Sequence, residues 1–157
     1  MPRLDRLSEL QRKASLAYPC LLNDSAPFTR MARPLSAARV ALVTTAGIHV
    51  RGDAPFTGRD QSFRVIPAET PPADIVQSHA SIGFDRTAFQ RDINVVFPMD
   101  RVHELVERRE IGSLSPKFYS FMGAQYPPFD GLQHDTGPHV ARQLRADGVE
   151  VVFLTGT

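Results

Sequence analysis

ARVALVTTAGIHV, residues 38–50, decides the class of the fold. It opens with a continuous apolar and β-branched run that ends at Gly47, with no alternation of polar residues. A strand buried on both faces reads this way, and such strands belong to parallel sheets. Outward from it, Asp147-Gly148 turns the chain into VEVVFLT, read as another buried strand, and Asp92 introduces INVVF, read as a further one. Between these lie two helical patterns. MDRVHELVERREIG, residues 99–112, sets Val102, Leu105 and Val106 on one face, pairs Glu104 with Arg108 one turn on, and has Gly112 placed to cap it. Asp135 or Thr136 is expected to cap the next helix, with Pro138 in its first turn and Val140 and Leu144 facing inward. Strands alternating with helices imply parallel βαβ units. The expected class is α/β, with a partial parallel sheet of three to four strands in a Rossmann- or flavodoxin-like layered arrangement.

The remaining stretches read as connections. Residues 51–78 hold four prolines and two glycines around a short strand-like SFRVI, a long loop of the functional kind. SLSPKFYSFMGAQYPPFDGL, residues 113–132, reads as loop, with one short strand at Ile111 to Leu114. Phe118, Tyr119, Phe121 and Met122 within it suit core or interface packing. At the N-terminus, Leu4, Leu7, Leu10 and Leu16 recur at helical spacing, so the first 17 residues read as an amphipathic helix broken before Pro19. Pro19, Pro27 and Pro34 mark an extended connector. The expected organisation is an arm and connector over residues 1–35 and an incomplete α/β domain over residues 36–157.

Composition narrows the function. The chain has 157 residues, 42% hydrophobic and 22% charged, as expected of one soluble domain with a real core. Eighteen basic against seventeen acidic side chains leave a net charge of +1, so no global field recruits nucleic acid or an anionic membrane. The absence of a long apolar stretch or a secretory signal points to a cytoplasmic protein. One cysteine, Cys20, supports no internal disulfide, zinc site or dithiol pair. There is no GxGxxG or GxxxxGK[ST] motif, and no resident cofactor is expected.

Candidate site residues cluster after the first strand. TTAGIHVRGDAPF, residues 44–56, places Thr44, Thr45, His49, Arg51 and Asp53 where an α/β sheet exposes polar groups to a ligand. Arg51 is suited to clamp a carboxylate through two parallel hydrogen bonds, and Arg64 supplies a second cation. The expected substrate-binding set is Thr45, His49, Arg51 and Arg64. His79, Asp85, Asp92 and Asn94 are metal-ligand types without a recognised spacing, so no metal is expected; Asp92 reads as a cap before its strand and His79 as a loop histidine. Arg51-Gly52-Asp53 matches an adhesion tripeptide only by composition.

Taken in order, ALVTTAGIHVRGDAPF, SFRVIP, DINVVFPMDRVHEL, IGSLSPKFYSFMGA and GVEVVFLT resemble the selenoprotein B family, from about Arg39 to Thr157. This family comprises the substrate-handling subunits of glycine, sarcosine and betaine reductases and the related subunit of D-proline reductase. The resemblance implies a small amino-acid-type substrate and reductive cleavage of its carbon–nitrogen bond. The nucleophile would come from a selenocysteine-x-x-cysteine motif, or a cysteine version, expected just after Thr157. Thioredoxin-like dithiols would supply the electrons, and other reductase subunits would be partners. Read so, the chain is an N-terminal portion, inactive alone, of the kind an unread UGA codon leaves. Two other readings stand beside it. One is a non-catalytic α/β module that binds an anionic small molecule or serves as an assembly partner; the other is a metal-dependent hydrolase using His49, His79 and Asp85.

Overall fold

The computed structural model describes residues 3–17, 24–26, 28–81, 84 and 86–156. Pro19, Cys20, Pro27, Asp85 and Thr157, named above, lie outside the described residues. The chain divides into two units, Met1–Arg30 and Met31–Thr157.

In the first unit a 3-10 turn, Leu4–Arg6, precedes helix α1, Glu9–Leu16. One helix over the first 17 residues was the expectation; instead the helix starts afresh at Ser8. The Ser8 hydroxyl accepts from the Gln11 amide at 3.3 Å while the Gln11 side chain accepts from the Ser8 amide at 3.1 Å. This capping box is legible as S-x-x-Q.

The second unit is built on strand β1, Arg39–Thr44. On one side it pairs in parallel with β7, Val151–Thr155, in unbroken register from Val40↔Val151 to Thr44↔Thr155. On the other side it pairs in parallel first with β5, Ser113–Leu114, and then with β6, Lys117–Phe121. Pro116, which has no N–H, separates these two halves of one lane. Strand β3, Phe63–Pro67, adds to β6 antiparallel. Strands β2, Ile48–Val50, and β4, Ile75–Gln77, form a separate antiparallel pair.

Helices cover the two faces. Helix α4, Gly137–Ala146, lies over the face bearing Tyr119, whose hydroxyl donates to the Gln143 side chain at 2.8 Å. On the opposite face Phe118 meets Phe97 edge-on at 5.8 Å, just ahead of helix α3, Met99–Glu107, which buries Met99 and Val102. A short helix, α2, Arg86–Arg91, precedes this corner. The class is therefore α/β, with the parallel lanes foreseen from the sequence.

Several local expectations are corrected. INVVF is not a strand: Ile93–Val95 forms a 3-10 turn, because the Asp92 carboxylate accepts from the Asn94 backbone amide at 2.9 Å and the Asn94 side-chain Oδ1 accepts from the Asp100 backbone amide at 3.0 Å. Ile93, Val96 and Phe97 are buried in the core, while Val95 is exposed. Conversely, KFYSF, expected as loop, is β6, with Phe118, Tyr119 and Ser120 fully buried. β7 is not buried; Phe153 is 52% and Leu154 71% exposed, as befits an edge strand. Gly112 does not cap α3, which ends at Glu107 with Arg109 in the left-handed region at φ 60°. It matters for space, since a Cβ there would stand 2.6 Å from the Ala37 carbonyl carbon. Neither Asp135 nor Thr136 caps α4: the helix enters through a π-turn, Leu132–Thr136, and the Gly137 amide donates to Leu132. The wider turn accommodates Pro138, which has no amide to donate.

Candidate functional site

Parallel pairing brings the carboxyl ends of β1, β6 and β7 to one edge of the sheet, where α/β proteins bind ligands. The amide of Thr45, just past β1, donates to the Thr155 carbonyl at the end of β7 at 3.0 Å. Thr45 also lines a cavity of about 380 Å³ together with Phe121, Met122, Gln125, Leu132 and Gly137. The π-turn thus supplies part of the wall, since Leu132 and Gly137 flank it. A second compartment of about 260 Å³, bounded by Arg59, Ser81 and Tyr126, shares Met122 and Ala124 with the first.

Two loops are locked together to make these walls. Gln125 Nε2 donates to the Asp60 carbonyl at 2.7 Å and to the Met122 carbonyl at 3.2 Å. Gln61 Nε2 donates to the Pro128 carbonyl at 2.8 Å, its Oε1 accepts from the Leu132 amide at 3.2 Å, and the Thr136 hydroxyl donates to the Gln61 carbonyl at 2.8 Å. Inside the 54–62 loop Arg64 is the hub. Its guanidinium donates to the carbonyls of Ala54 and Pro55 at 2.7 and 3.3 Å, to the Ser62 hydroxyl at 2.7 Å and to Asp60 at 3.2 Å, while stacking 4.3 Å over Phe56. Burial pushes the Asp60 carboxyl up, but the hydrogen bonds from Ser62 and the charge of Arg64 outweigh it and hold Asp60 below its ordinary value.

The residues singled out from the sequence therefore separate. Thr45 is at the cavity. Thr44 is buried and donates to the Val96 carbonyl at 3.0 Å. His49 is buried on β2 with Nδ1 3.0 Å from the Val50 carbonyl oxygen. Arg51 is exposed, donating to the Ala73 carbonyl at 2.9 Å and facing Asp74 at 3.8 Å. Asp53 is exposed on the turn after β2, its amide donating to Val50. Arg51 and Arg64 are held by different partners rather than converging on one point. Sequence reading did not single out Arg59, Gln125, Leu132 or Gly137, and took Met122 as core or interface packing. The glycines around them were the available signal, because tight turns beside a strand end build ligand-facing walls.

His79 is 2% exposed. Its Nδ1 accepts from the Ser81 amide at 3.1 Å and its ring stacks on Phe84 at 4.7 Å. Burial, with Arg86 nearby, pushes its pKa below the ordinary 6.5. The unfolded chain therefore takes up a proton that the folded chain refuses, so stability present above about pH 6.5 is lost as pH falls from there through the folded value. The urea midpoint of the wild type is expected to drop between pH 7 and 5, and His79→Gln to flatten that slope; parallel slopes would place the titration elsewhere. Asp92 is likewise held below its ordinary value by hydrogen bonds from Asn94, in keeping with its capping role. Among the described residues no three His, Cys, Asp or Glu side chains converge as metal ligands, and no helix is long and apolar enough to cross a membrane.

Residues 7–157 match the family model described as glycine/sarcosine/betaine reductase selenoprotein B. The chain is 38% identical over 129 residues to D-proline reductase subunit gamma of Acetoanaerobium sticklandii, covering 82% of this chain and 52% of that protein. It is 29% identical over 151 residues to sarcosine reductase complex component B subunit beta of Peptoclostridium acidaminophilum, covering 92% and 34%. Against glycine reductase complex component B subunit gamma of Carboxydothermus hydrogenoformans the identity is 26% over 139 residues, covering 85% and 31%. The chain thus spans from about a third to about half the length of these curated relatives. No solved structure gives a significant match. With the family model matching nearly its whole length, the chain belongs to the glycine/sarcosine/betaine reductase selenoprotein B family.

Proposed function

We propose that this chain forms the substrate-holding part of a reductase-complex subunit that cleaves the carbon–nitrogen bond of a small amino acid or an N-methylated relative. The observation that carries the reading is the cavity at the carboxyl ends of β1 and β6, lined by Thr45 and Phe121, with Thr155 at the end of β7 hydrogen-bonded to Thr45 beside it. In a protein of the relatives' length, residues following β7 would enter at that same edge. A selenocysteine or cysteine there would attack the carbon that bears nitrogen, the amine would leave with a proton, and a thioredoxin-like dithiol would supply two electrons to release the reduced product. Selenolate and thiolate, not their protonated forms, are the nucleophiles. Other reductase subunits would be its partners in the cytoplasm. Thr45 would orient the substrate, while Gln125 and Arg64 would fix the wall; His49 and Arg51 would stabilise the adjoining β2–β4 pair.

The test is consumption of glycine, sarcosine, betaine and D-proline by the intact protein with its complex partners and dithiothreitol. One of the four is expected to turn over, and Thr45→Val to lower kcat/KM by about tenfold, the worth of one active-site hydrogen bond, with Tm unchanged. Dithiol-dependent turnover of none of them would sink the reading. The exposed Phe153 and Leu154 of β7 favour one second reading, an assembly role without catalysis. Under it, binding to a partner subunit would persist while no substrate was consumed.

A further inference from the structure

Arg59 is absent from the expected binding set, yet it lines the smaller compartment, which shares Met122 and Ala124 with the Thr45 cavity. We propose that Arg59 is the anchor for the substrate's carboxylate, with the carbon–nitrogen end of the ligand directed toward Thr45. This rests on the substrate-holding function proposed above.

Three observations carry it. The larger cavity has no charged side chain in its lining, only Thr45, Gln125 and apolar groups, so nothing there pairs with a carboxylate. Arg59 is the charged residue lining the adjoining compartment, and its side chain makes no hydrogen bond or ion pair among the described residues. Arg51 and Arg64, by contrast, are already engaged with Asp74 and Asp60. The backbone adds a separate sign. Arg59 at φ 63° and Ala124 at φ 54° are two of the three non-glycine residues in the left-handed region among the described residues, and both line this compartment. Glycine or asparagine would hold such a turn more comfortably, so the backbone at this position does not itself call for an arginine. A planar fork of donors matches a carboxylate.

The test is calorimetric binding to the intact protein of D-proline, sarcosine and glycine, each beside its own carboxamide. Arg59→Gln is expected to weaken binding of the acid by about tenfold, the scale of one charge-assisted hydrogen bond, and to leave the carboxamide unchanged. Arg59→Lys should recover part of the loss. Retained carboxamide binding shows that the variant is folded. Wild-type affinity for the acid in Arg59→Gln overturns the anchor while leaving the substrate-holding function intact. An equal loss for acid and carboxamide also overturns it, by showing a general loss of the pocket. A wild type that binds none of the acids overturns both.

Discussion

Phe118→Ala is expected to lower the free energy of unfolding by about 3–5 kcal/mol, the range for deleting a buried ring and leaving a cavity. Phe118 has no exposed surface, sits on β6 between β3 and β1, and meets Phe97 edge-on at 5.8 Å. Its loss opens a void between the sheet and the turn that leads into α3. Packed neighbours on both flanking strands leave little room for collapse. Against a typical domain stability of about 5–15 kcal/mol, that is a large fraction. Thermal unfolding should move down by roughly 6–20 °C for a chain of this size. A shift under about 2 °C would mean that the residue does not belong to the core.

Arg64→Ala should cost about 2–3 kcal/mol, because it removes a guanidinium that holds the carbonyls of Ala54, Pro55 and Phe63, the Ser62 hydroxyl and the Asp60 carboxylate, leaving Asp60 half-buried without its cation. The Arg64 and Asp60 side chains are each only 15% exposed, so solvent screens the pair weakly. Arg64→Lys should restore little, since one ammonium cannot span these acceptors. The acid limb has a definite sign. Folded Asp60 titrates below 3.8, so its contribution is present above about pH 4 and disappears as pH falls through the folded value. The gap between wild type and Arg64→Ala should narrow below about pH 4. An Arg64 that only clamps substrate would behave differently, losing ligand affinity in the variant with unfolding unchanged at every pH.

How much of this was legible follows from which residues act locally. β1 and α3 were readable because their apolar residues repeat at the spacing of their own element. β6 was not, because KFYSF is short, contains a serine and is flanked by Pro116 and Gly123; its burial comes from partners on β1 and β3 far away in sequence. INVVF misled for the opposite reason. Its composition is that of a strand, but side-chain bonds from Asp92 and Asn94 curl the backbone before pairing can begin. At the site, Thr45 was legible as the residue after a buried strand. Arg64 looked like a free cation, since nothing in the sequence shows that carbonyls ten and nine residues earlier fold back onto its guanidinium. Arg59 sat in a turn whose left-handed backbone no side-chain pattern announces.

The arrangement around β1 also has a price in time. Its strand partners arrive late: β5 begins 74 residues after Arg39, and the β7 end is joined to Thr44 across 111 residues. At a ribosomal pace of about 5–20 residues per second, β1 spends roughly 6–22 s as a nascent, apolar segment before its last neighbour emerges. High contact order slows closure further. Co-translational chaperone occupancy should therefore centre on the stretch after β1 has left the ribosome and before β7 appears, and a pulse of synthesis arrested between them should yield chains that protease cleaves within VALVT.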